Sequence, residues 1–181
     1  MAKASVVVGF VLGSASDWPQ VEPGAALLKE WGIGVEVTVA SAHRSPRRAQ
    51  EYARGAAGRG LKVIIAAAGA AAHLAGVLAA ETTLPVIGVP IPSSPLQGLD
   101  SLLSTVQMPP GVPVAAMALG KAGAQNAAIF AAQVLALSDP KIQARLARHK
   151  KDLEAKVLKQ AQEIPPEFRP EDKSGPSRKN R

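Results

Sequence analysis

The stretch ASAHRSP, residues 40–46, sets a histidine beside an arginine between a strand-like run and a helix start. Imidazole exchanges protons near neutral pH. A guanidinium pairs with phosphate or carboxylate through two parallel N–H groups. Ser45 and Pro46 are explained by local structure, as an N-cap followed by a first helical residue. His43 and Arg44 are not needed for either purpose, which makes them candidates for proton transfer and anion binding. Two further stretches carry similar possibilities. GSASDWP, residues 13–19, offers a glycine for close backbone approach, two serines and Asp17, just ahead of a helix whose N–H groups suit an anion or a ribose. Ser16 or Asp17 could equally serve as a plain helix cap there. AAAGAAAHLAG, residues 66–76, is almost entirely small side chains with one histidine, His73. Taken alone, such a histidine is more often a packing residue, but two histidines in adjacent loops favour a shared site.

The elements that must hold these loops are visible as alternating apolar runs and helix-length segments. SVVVGFVL, IGVEVTVA, LKVIIAAA, LPVIGVPI and VPVAAMAL are of strand length, and helices are expected to about Trp31, to about Arg59, through Ala80, briefly after the fourth strand, and to Leu137. The runs are continuous rather than alternating, the pattern of strands covered on both faces. This predicts an α/β protein with a parallel sheet of five strands. With strand order 2-1-3-4-5, the loops after the first three strands meet where the strand order reverses, the usual ligand position of an open parallel sheet. The loops containing Ser14, His43 and His73 are those loops.

Beyond Leu137, SDPK announces another helix, with Ser138 or Asp139 as cap and Pro140 in its first turn. Ile142, Leu146, His149, Leu153 and Val157 recur on one narrow stripe. A sheet already covered on both faces leaves that stripe no place except a neighbouring subunit. The expected organisation is a domain over 1–138, a helix over 139–160 that packs on other subunits, and a basic, disordered tail over 165–181 rich in proline and charge.

Composition narrows the function classes. The absence of cysteine removes thiolate nucleophiles, disulfides and cysteine-bound metals. The net charge of +7 is uneven: residues 1–140 carry 9 basic and 8 acidic side chains, residues 141–181 carry 12 and 6. The globular part is nearly neutral and the whole chain is 3% aromatic, which does not suit nucleic-acid binding. The first apolar run is too short to span a bilayer. The expectations are a cytoplasmic, soluble protein with no membrane or nucleic-acid partner and no metal.

GSASDWP, SAHRSP, AAHLAG, TTLPVIGVPI, GLDSLLSTVQMPPGVPV and GKAGAQNAA together resemble, in order and spacing over residues 5–137, the class I N5-carboxyaminoimidazole ribonucleotide mutases of bacterial purine biosynthesis. The resemblance implies a three-layer flavodoxin-like fold and a homo-octamer. It also implies cofactor-free transfer of a carboxyl group from the exocyclic nitrogen of a ribonucleotide to ring carbon C4, by way of carbon dioxide. On this footing His43 moves the C4 proton, Ser14, Asp17 and Arg44 hold ribose and phosphate, and Ser41, Ala68, Gly69, His73 and Leu74 complete the pocket. The alanine-rich loop would be a lid over a dry chamber for carbon dioxide. Resemblance leaves two alternatives: direct carboxylation of aminoimidazole ribonucleotide by free carbon dioxide, and a non-catalytic nucleotide-binding paralogue. The chain departs from the family pattern at Ala67, Ala70, Ala75, Ala115 and Ala116. An alanine held at positive φ costs about 1–2 kcal/mol.

Overall fold

The computed structural model describes residues 5–170. Five strands, β1 (Val6–Leu12), β2 (Gly34–Val39), β3 (Val63–Gly69), β4 (Val86–Ile91) and β5 (Ala115–Ala116), form one parallel sheet in the order β2-β1-β3-β4-β5. The helices are α1 (Trp18–Glu30), α2 (Pro46–Ala56), α3 (Leu74–Ala79), α4 (Leu99–Val106), α5 (Gly120–Ala136) and α6 (Pro140–Ala161). The architecture is a three-layer, flavodoxin-like α/β sandwich, as the alternating pattern and the resemblance imply.

The pleat divides each central strand between two cores, because successive side chains point to opposite faces. Phe10, Leu12, Ile65 and Val89 meet Val21 and Leu28 of α1 and the alanines of α5. Val11, Ile64, Ala66 and Val86 meet Ala49 and Ala53 of α2 and Leu74 and Leu78 of α3. Ala124, Ala127, Ala128, Ala131 and Ala132 are fully buried. Small residues let α5 and α1 approach closely, and a Cβ at Gly24 would collide with the Ala124 carbonyl.

Two strands depart from expectation. β2 is an edge strand with Glu36 half-buried and Val37 and Val39 each 41% exposed, so continuous apolarity did not mean cover on both faces there. The fifth run, read as a strand over 112–119, pairs only at Ile87↔Ala115 and Gly88↔Ala116. Pro113 has no N–H to give a ladder, and the opposite edge of β5 has no further strand to pair with.

The C-terminal helix also departs from expectation. Asp139 caps α6, its carboxylate accepting from the backbone N–H of Lys141 at 2.9 Å. Ile142 and Leu146 pack on the core beneath α1 and α5, and the His149 ring meets the Trp31 ring edge-on with centroids 5.2 Å apart. The first half of the stripe therefore belongs to this chain's own domain. Helix α6 lies against α5 at that end of the core, and a cavity of about 480 Å³ remains between its first turns and the Trp31–Gly34 turn. Ile142, Leu146 and His149 are partly buried there, while Leu153 and Val157 of the same stripe are 51% and 62% exposed. Of the expected disordered tail, Pro166–Phe168 form a single 3-10 turn, and the Arg169 guanidinium donates to the Gln162 carbonyl at 2.6 Å. Residues 171–181 lie outside the described residues.

Candidate active site

The register of the sheet brings three loops together. Leu12 is level with Val39 on one side and Ala67 on the other, so the chain leaves β1, β2 and β3 at one height. A cavity of about 260 Å³ opens there, lined by Gly13, Ser14, Ser16, Asp17, Ser41, Ala42, His43, Arg44, Ala68, Gly69, Ala71, Leu74 and Ser93.

In the first loop, Ser14 caps a 3-10 turn, Ala15–Asp17, that leads into α1. Its hydroxyl accepts from the Ser16 N–H at 3.3 Å, and the Asp17 carboxylate accepts from the Ser14 N–H at 3.0 Å. Asp17 is both a cap and a cavity wall, so the two readings of this residue are compatible. It is only 5% exposed, and burial pushes its carboxyl above the usual carboxylate range, against the Ser14 N–H and the nearby Arg44 charge, which both favour the ionised form.

The second loop is fastened by its serines. The Ser41 N–H donates to the Ser45 hydroxyl at 2.9 Å, and the Arg44 N–H donates to the Ser41 hydroxyl at 3.2 Å. Ser45 sits at the N-cap of α2, but its hydroxyl closes this loop instead of capping the helix. The turn presents His43 and Arg44 to the cavity. Arg44 reaches across to the first loop, donating to the Gly13 carbonyl at 3.1 Å. That bond places the guanidinium while leaving most of its N–H groups for a ligand, and no carboxylate forms an ion pair with it among the described residues.

The third loop contributes Ala68, Gly69, Ala71 and Leu74 to the wall. Ala70 has φ +51°, so the cost anticipated for alanine in the left-handed region falls at this one of the five departures. Ala67 and Ala75 are buried in the core without that backbone conformation. Ala70 and Ala71 are exposed, so in the single chain the loop is one wall of an open chamber rather than a closed lid. His73 lies just outside the cavity wall, with its Nδ1 2.9 Å from His43 Nε2.

Every site residue expected from sequence therefore lines the cavity or, as with His73, touches a residue that does. Ser93, after β4, was missed. β4 is level with β3, Gly69 facing Ile91, so the chain beyond β4 also turns over the site. A Cβ on Gly69 would collide with the Ser93 hydroxyl, which makes Gly69 the space that seats this serine. The signal was the Ser-Ser-Pro following the fourth apolar run.

The arrangement combines a proton-exchanging ring, an anion-binding guanidinium, hydroxyls and a carboxylate suited to ribose, and a wall of small side chains. A family model for AIR carboxylase matches residues 7–156. The N5-carboxyaminoimidazole ribonucleotide mutase of Pyrococcus horikoshii is 49% identical over 164 residues, covering 91% of this chain and 92% of that protein. The enzyme of the same name from Mycobacterium tuberculosis strain H37Rv is 57% identical over 139 residues, 77% and 79% of the two chains. Among solved structures, Treponema denticola PurE superposes with a TM-score of 0.78 at 25% identity, covering 88% of this chain and 98% of that one, which shows the shared fold. By the family match and by the extent of identity to these relatives, the chain belongs to the AIR carboxylase family.

Proposed function

We propose that this protein is an N5-carboxyaminoimidazole ribonucleotide mutase of de novo purine biosynthesis, working as a homo-octamer in the cytoplasm. What carries the reading is the pair His43–Arg44 at the wall of the switch-point cavity, in a chain half identical to mutases over nearly their full length.

Arg44 and the hydroxyl of Ser14 would receive the phosphate, with Asp17 and Ser41 toward the ribose. The bond between the exocyclic nitrogen and the carboxyl carbon breaks, that nitrogen takes up the proton carried by the His43 imidazolium, and carbon dioxide is released inside the site. C4 then attacks the carbon dioxide, and its proton leaves to His43. One proton is consumed at nitrogen and one released at carbon, so a single histidine can balance both steps. Ala42, Ala68, Gly69, Ala71 and Leu74 surround the gas with side chains that neither add to it nor bring water. Assembly of subunits over Ala70, Ala71 and His43, all exposed in one chain, would complete the dry chamber. The name of the family model supports a second reading, direct carboxylation of aminoimidazole ribonucleotide by free carbon dioxide at the same residues.

Two variants test the roles. His43→Asn should lower turnover by about 10²- to 10⁴-fold, the usual contribution of a general acid–base, while nucleotide affinity stays within a few-fold. Arg44→Leu should instead weaken binding by about 1.5–3 kcal/mol. Steady-state kinetics with binding calorimetry separate the two. Normal turnover in the first, or unchanged affinity in the second, would refute that residue's role.

A further inference from the structure

We propose that His73 is a positioning residue that fixes the tautomer of His43, holding the hydrogen on Nε2 and the lone pair on Nδ1. Geometry shows that the two rings share one hydrogen; which ring supplies it rests on the mutase reading. His43 Nε2 and His73 Nδ1 are 2.9 Å apart, and the rings stand edge to face with centroids 5.0 Å apart and planes at 81°. A hydrogen bond between two imidazole nitrogens contains one hydrogen, so one nitrogen donates and the other accepts. Neither ring makes any other hydrogen bond among the described residues, and the choice at this contact therefore sets the protonation of the far nitrogen on each ring.

The two choices are not equivalent for the site. If His73 donated, His43 would accept at Nε2 and its own hydrogen would sit on Nδ1. No lone pair would then be free to take a proton from carbon. With His43 donating through Nε2, Nδ1 is the atom that gives its proton to the exocyclic nitrogen and, once bare, takes the proton from C4, and the imidazolium and the neutral ring both keep the bond to His73. Each ring then has its hydrogen on Nε2. His73 is suited to act through His43 rather than on the substrate. It lines a separate cavity of about 420 Å³ with Gly76, Val77, Ser104, Gln107 and Met108. Its backbone is set by the turn at Ala70 and by its N–H donating to the Ala71 carbonyl at 2.8 Å.

Nitrogen-15 spectra of the full chain, recorded up to about pH 9, above the ordinary histidine range, read the tautomer directly. His43 is assigned by the signals lost in His43→Asn. The expected wild-type spectrum has His43 Nε2 protonated and Nδ1 bare. In His73→Leu the two nitrogens should shift toward an averaged mixture, with kcat down about 10- to 100-fold, as for other groups that orient a functional ring, and KM within about three-fold. His73→Asn places an amide oxygen where Nδ1 accepts, so it should restore both the spectrum and most of kcat. A bare Nε2 on wild-type His43, or a His43 spectrum unchanged in His73→Leu, would overturn the proposal. Wild-type protein with the expected spectrum but no turnover would contradict the mutase reading alone, and if His73→Leu does not fold, the wild-type and His73→Asn spectra still decide.

Discussion

Asp17 shows how the site trades stability for chemistry. Its carboxyl is raised in the folded protein chiefly by burial, so the folded state binds its proton more tightly than the unfolded chain does. The stability this residue contributes is complete below the ordinary carboxylate range and is lost as pH rises through the raised folded-state value. Asp17→Asn keeps an acceptor for the Ser14 N–H and removes the buried charge. Thermal unfolding should therefore show the variant at least as stable as wild type at pH 7, with the difference shrinking toward pH 4, while its affinity for the ribonucleotide falls. A variant markedly less stable at pH 7 than at pH 4, relative to wild type, would contradict this account. His43, Arg44, Ser14 and Asp17 were legible because neither a strand nor a helix start requires all of those polar groups at one edge. Ser45 was misread in its contacts: a serine before a proline has an adequate explanation as a cap, and sequence does not show that its hydroxyl turns back to Ser41.

At the scale of elements, the junction of β3 and α3 is one of two places where a non-glycine residue is held at positive φ among the described residues. Ala70 at φ +51° sits where the chain leaves the sheet, and glycine adopts that conformation without the Cβ clash. Ala70→Gly should raise the stability of the domain by up to about 1 kcal/mol, since the greater unfolded-state freedom of glycine offsets part of the relief. Denaturant titration measures this, and destabilisation would show that the alanine methyl makes a contact that outweighs the strain. The central strands could be read from sequence because β1, β3 and β4 are buried on both faces, where unbroken apolar runs are required. The same reasoning overstated β5 and the cover of β2. Whether an apolar residue pairs, or is covered, at a sheet edge depends on neighbours that are distant in sequence.

For the whole molecule, the strand order entered as a condition that the resemblance then supported, one of the few that short right-handed crossovers allow, and to that extent it was accessible. The placement of α6 was not, because an amphipathic stripe specifies that a face will be buried and not what buries it. Ile142, Leu146 and His149 are on this chain's core, while Leu153, Val157 and Leu158 are exposed. Two truncations separate these roles. A chain ending at Lys150 should retain the domain's thermal stability but assemble less completely. One ending at Leu137 should lose roughly 2–3 kcal/mol of stability as well, the value of two partly buried aliphatic side chains and the cover on Trp31. Light scattering and calorimetry check both. Full assembly of the Lys150 truncation would remove the second half of α6 from the subunit interface.

The central claim, that this cavity moves a carboxyl group from nitrogen to carbon within one ribonucleotide, is tested most directly by offering the purified chain either of two substrates. The carbamate, N5-carboxyaminoimidazole ribonucleotide, should be converted to the 4-carboxy isomer without added bicarbonate, nucleotide triphosphate or metal, and conversion should persist in excess chelator. Aminoimidazole ribonucleotide with bicarbonate should be turned over far more slowly at matched concentrations. Efficient use of the second substrate with no use of the first would assign direct carboxylation, and no product from either would leave a nucleotide-binding protein in which His43 has no proton to move.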